Sequence, residues 1–135
     1  MSPIKGFALA IGLALSSPSY AEESAVAAAC IALPPAAQSG CLEKLANAAD
    51  AKLNDVYRRA VKVIEKSDSD NIAKWKAELK KAQQAWIVFR DTDCGALTAY
   101  EWGHGTGMGS ATESCILEKT IQRTGDLEHR YIDRR

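Results

Sequence analysis

The sequence predicts an all-α fold: a small antiparallel bundle of three main helices plus a short N-terminal helix, stapled by two disulfides. Three observations carry this. Apolar residues recur at spacings of three and four, with no strand-like alternation. Breakers punctuate the chain at Pro34-Pro35, at Ser67-Asp68-Ser69-Asp70 and at Gly103–Gly109. Four cysteines, an even number, follow a segment that reads as an export leader.

The leader comes first. Lys5 supplies a positive n-region, Phe7–Leu15 a short apolar core, and Ser19-Tyr20-Ala21 puts small residues at the two positions a signal peptidase reads. The apolar run is too short for a membrane span, which needs roughly 20 residues. Cys30 lies too far downstream to be a lipidation site. The expected division is therefore a signal peptide over 1–21 and a single helical domain over 22–135. Removing 21 of the 135 residues leaves 114, with 16 basic against 17 acidic side chains. That length suits one domain with a modest core. The near-neutral charge gives no reason to expect nucleic acid, which favours basic patches. No second hydrophobic span follows, so the mature chain should lack a membrane span and be periplasmic or secreted. In such an oxidising compartment the cysteines should pair. Of the three possible pairings, the local one (Cys30 with Cys41, Cys94 with Cys115) closes two short loops and is the one expected. No CxxC pair or histidine cluster suggests a metal, and no cofactor is expected.

The elements follow in order. Residues 24–32 are alanine-rich and predict a short helix that ends near the two prolines. Ser39 is the expected N-cap of a helix from Gly40 to about Lys66, with Leu42, Leu45, Ala49, Leu53, Val56, Ala60, Val63 and Ile64 on its apolar face. After the polar turn, Ser69 or Asp70 should cap a second long helix running to about Tyr100. Its expected buried stripe is Ile72, Trp75, Leu79, Ala82, Trp86, Phe89 and Leu97, flanked by Gln83 and Arg90. Ser110–Glu113 has the form of a capping box, opening a third helix to about Ile132, with a disturbance expected at Gly125. An antiparallel arrangement puts Cys94, Cys115 and the glycine loop at one end.

Three stretches are familiar as a set. They are Leu53-Asn54-x-x-Tyr57; Gln83-x-x-Trp86-x-x-Phe89-Arg90-Asp91-x-x-Cys94; and Cys115-x-x-x-x-Thr120-x-x-Arg123-x-x-x-Leu127. Together they resemble the LprI-type lysozyme-inhibitor family, over about residues 30–128. The resemblance implies an exported helical protein whose partner is a lysozyme or a related peptidoglycan hydrolase. Independently, the residues offer no recognisable nucleophile–base pair or metal-ligand cluster, so no enzyme is expected. The lipobox cysteine of the member that names the family is missing here, so membrane anchoring does not carry over.

Read as chemistry, the motif residues point to structure. Tyr57, Trp86 and Phe89 at helical spacing are expected in the core. Arg90 and Asp91 should tie neighbouring helices through charged hydrogen bonds, with Asn54 and Thr120 in the same network. Asp91-Thr92-Asp93 opens like a calcium loop but has Ala96 and Trp102 where glycine and glutamate are required. The glycine loop follows a helix rather than a strand and lacks a Gly-Lys-Ser/Thr ending, which argues against a phosphate loop. Its glycines suggest a mobile backbone. It is long for a bundle connection, and such loops are often functional. Tyr100, Trp102, His104 and Met108 are the candidate partner-binding residues, placed to enter a muramidase cleft. A surface loop with Trp102 tucked beneath it is the plainer alternative, as is an accessory envelope protein or an immunity protein against a wall-degrading toxin.

Overall fold

The computed structural model describes residues 20–133, which form helices and no strand. Most of the proposed leader lies outside the described residues. The order is α1 (Tyr20–Ile31), α2 (Pro35–Glu65), α3 (Ile72–Thr92), a π-helical turn (Asp93–Leu97), α4 (Thr98–Glu101), α5 (Met108–Leu127) and a second π turn (Glu128–Ile132). The antiparallel bundle and both local disulfides are as the sequence predicts.

Helix α2 begins five residues before the expected Gly40, and Ser39 is not its cap. Pro34 takes the N-cap position and Pro35 the first helical position, where a fixed φ fits and the missing amide has no partner to lose. The α1–α2 link is held by the Gln38 side-chain amide, which donates to the Ile31 and Leu33 carbonyls at 2.9 Å each, and by Cys30–Cys41, with Cα atoms 5.5 Å apart. The buried face of α2 is Leu42, Ala46, Ala49, Leu53, Val56, Ala60 and Ile64, an alternation of three and four residues that makes a narrow seam. Leu45 and Val63 sit at its half-buried margins.

Opposite this seam lies α5, and the α2–α5 interface is the most extensive in the molecule. Two clusters make the core. Near the Cys30–Cys41 end, Cys30, Leu42, Ala46, Ala49 and Leu117 pack together. Toward the other end, Leu53, Val56, Ala60, Ile64, Leu79, Leu127 and Tyr131 pack, with Tyr57 and Trp86 against them. Each fully buried Leu or Ile contributes about 1.5–3 kcal/mol through apolar burial.

Helix α3 departs most from expectation. It buries only Leu79, Gln83 and Arg90. Phe89 is 54% exposed and Leu97 48%, and Trp75 and Ala82 are exposed too. The predicted stripe was rotated by about one residue, because a polar seam (Gln83, Arg90) faces the bundle where an apolar one was expected. Helix α5 likewise begins at Met108, before the expected capping box, and no side-chain cap bond forms at its start. Gly125 sits within regular α-helix; the π turn starts three residues later, at Glu128.

Candidate functional site

The shared motifs converge on one interhelical network. The Arg90 guanidinium, from α3, donates to Asp50 on α2 at 2.6 Å, to Thr120 on α5 at 3.0 Å and to Asp91 at 2.9 Å. Thr120 is fully buried. One turn away, Arg123 Nε on α5 donates to Gln83 Oε1 at 2.9 Å. Trp86 lies between the two arginines, whose guanidinium carbons are 5.2 Å (Arg90) and 6.0 Å (Arg123) from the centre of its indole ring. The motif therefore builds a cation–aromatic layer that fastens α3 to the α2–α5 pair. Burial alone would lower the Arg90 pKa, but the hydrogen bonds and charges of Asp50 and Asp91 outweigh it and raise it. Arg123 has fewer carboxylate neighbours, and burial pulls its pKa below the usual value. Among the described residues, no buried side-chain polar atom lacks a partner.

Two sequence expectations need correction here. Asn54 is exposed, and Asp50, one turn earlier on α2, holds the place in the network assigned to it. Phe89 is not core: its ring faces outward with the Lys119 ammonium 5.0 Å from its centre.

The glycine loop lies at the Cys30–Cys41 end of the seam, beyond Cys94–Cys115 (Cα atoms 5.4 Å apart). Much of its backbone is hydrogen-bonded. The Gly103 amide donates to the Tyr100 carbonyl at 3.1 Å and the His104 amide to the Ala99 carbonyl at 3.0 Å. With Gly103 at φ +58, this is the paired closure that ends many helices, and it needs a left-handed residue at that point. His104 also has positive φ, at 57, which few non-glycine residues adopt. Gly105 and Met108 amides bond back to Trp102 and Gly105 carbonyls.

The side chains around this loop are divided between display and support. Tyr100 is 76% exposed and Trp102 54%. The His104 ring meets the Tyr100 ring edge-on, with centroids 5.4 Å apart. Trp102 lies across Gly107: a Cβ there would stand 2.6 Å from the indole. Met108 is half-buried as the first residue of α5 and is not part of the displayed tip. Two histidines far apart in sequence remain apart in the fold, since His104 and His129 flank opposite ends of α5, roughly 30 Å of helix. Asp93, Cys94 and Cys115 cluster, but both sulfurs are spent in the disulfide and the Asp93 carboxylate pairs with Lys119 at 2.9 Å.

The family model for "Lysozyme inhibitor LprI" matches residues 30–127. The chain belongs to the LprI family. Its Gln83–Cys94 and Cys115–Leu127 motifs are thus the helix-fastening layer just described, together with the disulfide that closes it. The Rhizobium meliloti (strain 1021) protein R02472 is 34% identical over 65% of this chain and 67% of its own length. The Escherichia coli (strain K12) protein YecT is 33% identical over 65% of this chain, which spans 59% of YecT. Both relatives carry the description "uncharacterized". No solved structure matches the chain. Membership in an inhibitor family and the two disulfides fit a protein that works outside the cytoplasm. Among the described residues, no helix is long and apolar enough to cross a membrane.

Sequence reasoning missed a groove beside the loop. Ile31 from α1, Leu97 and Trp102 from the α4 region, and Asp93, Glu101 and Glu118 line a depression of about 520 Å³. Its one legible signal was the spacing of Leu97 and Glu101, which share a helical face. Ile31 and Glu118 join them only through the fold.

Proposed function

We propose that the chain is exported, with residues 1–21 as its leader, and that it inhibits a lysozyme-like muramidase by presenting the Tyr100–Gly107 end to the enzyme's cleft. The observation that carries this is the display of two exposed aromatics, Tyr100 and Trp102, on a loop closed by its own backbone bonds and by Cys94–Cys115, in a member of a lysozyme-inhibitor family. Rigid aromatic side chains bury large area at low ordering cost, which favours tight binding. A muramidase cleft holds two carboxyl groups around the scissile bond, and His104 brings a ring N–H donor at the same tip. Target and aromatic tip would meet as a plug in a slot.

The test is muramidase activity on cell-wall substrate, with the oxidised protein titrated against chicken-type, goose-type and bacterial enzymes. Saturable inhibition of one type is expected. Tyr100→Ala should weaken it at least about tenfold, the scale of a central aromatic contact. Gly107→Ala, which must push the Trp102 ring aside, should weaken it without changing the melting temperature by more than a few degrees. Inhibition that survives both changes would exclude the tip as the contact. Absence of inhibition across the panel would favour an accessory envelope role.

A further inference from the structure

The acidic and basic side chains are unevenly placed along the bundle. The half that carries the loop, residues 35–50 and 90–119, has seven carboxylates against three basic side chains. The other half, residues 51–89 and 120–133, has eleven basic against eight acidic. The near-neutral total conceals this polarity. The groove sits in the acidic half. Its apolar wall is Ile31, Leu97 and Trp102, each about half exposed, and its rim carries Glu101 and Glu118, both exposed. Asp93, at its base, is already neutralised by Lys119.

We propose that this groove receives a lysine or arginine side chain of the target hydrolase. An aromatic and aliphatic wall accommodates the methylene stem of such a side chain. The indole of Trp102 attracts its cationic head, and Glu101 and Glu118 offer charged acceptors at the groove mouth. The excess of carboxylates in this half would also steer a cationic surface toward the aromatic tip. This rests on the inhibitor reading and adds the chemistry of its partner: an enzyme with a basic residue beside its cleft, within reach of the groove when Tyr100 and His104 occupy the cleft.

The decisive experiment measures inhibition at low and high salt for the wild-type protein, Glu101→Gln/Glu118→Gln and Tyr100→Ala. The charge variant keeps side-chain size, so the fold is unaltered. It should slow association about tenfold at low salt and flatten the salt dependence, whereas Tyr100→Ala should weaken binding with the salt dependence retained. A charge variant that matches wild type at every salt concentration overturns the groove assignment while leaving the inhibitor reading standing. Should the wild-type protein inhibit no muramidase, the inhibitor reading fails, and a blocked Gly-Arg-Gly peptide titrated into isotope-labelled protein tests the groove alone. Shifts of the Trp102 indole signal that vanish in the charge variant support it; an unmoved indole overturns it. Sedimentation closes the remaining route: a wild-type dimer that the charge variant abolishes assigns the groove to a second copy and overturns the proposal.

Discussion

Arg90 and Phe89 are adjacent in the sequence and opposite in role. Arg90 is buried and bonds to three helices' worth of partners; Phe89 is exposed beside Lys119. Arg90→Lys keeps the charge but loses the fork that reaches Asp50 and Thr120 together, and should destabilise by about 2–3 kcal/mol, the scale of a charged hydrogen-bond pair. Phe89→Ala should cost under about 1 kcal/mol, as for an exposed cation–aromatic contact, where a buried Phe would cost about 3–5. Paired denaturant melts check both. Equal costs would mean that Phe89 is packed after all. The sequence marked both residues, but it could not rank them. Helical spacing fixes which residues share a face; which face turns inward depends on the neighbouring helix. Here that neighbour offers Asp50 and Thr120, so the inward face is the one bearing Arg90.

At the scale of elements, the start of α5 is a junction without a side-chain cap. Gly107 provides no side-chain cap, and Glu113 is not part of a capping box. Burial, joined by the like charge of Glu43 on α2, raises the Glu113 pKa. A carboxyl whose pKa is raised on folding binds protons more tightly in the native state, so native stability falls as pH rises from the unfolded value, about 4.3 for Glu, through the raised native one. Glu113→Gln removes that penalty. The variant should melt above wild type at neutral pH, and the difference should close as pH drops below the carboxylate range. A gap independent of pH would point to a packing effect instead. Helix boundaries show the same division of information. Pro34-Pro35 were legible as an interruption, but their role as the start of α2 was not, because a proline ends one helix and begins another with equal ease.

For the whole molecule, the disulfides matter because the core is narrow. The seam of α2 against α5 carries most of the burial, and α3 adds mainly a polar layer. Cys30–Cys41 and Cys94–Cys115 close loops of 11 and 21 residues separation, each worth about 3 kcal/mol on the chain-entropy account. Reduction of both should therefore lower the melting temperature by roughly 20–30 °C and release the loop frame, with any inhibitory activity lost alongside. A melting curve unmoved by reducing agent would contradict the structural role of both bonds. The charge polarity belongs to this scale too: it exists only once α2, α3 and α5 lie side by side.

The sequence by itself determined the helical class, the number of main helices, the breaks between them and the local disulfide pairing. These follow from periodicity, turn residues and loop length, all short-range properties of the chain. Family membership was legible in three motifs for the same reason, since each lies within one helix or at its end. Only the tertiary structure decided that the motif residues form one layer around Trp86, that α3 faces inward with Gln83 and Arg90, and that Ile31, Leu97, Trp102, Glu101 and Glu118 share a groove. Those facts depend on the rotation of each helix about its axis and on which ends meet. Both are set by the partner surface, which spacing along a single helix does not contain.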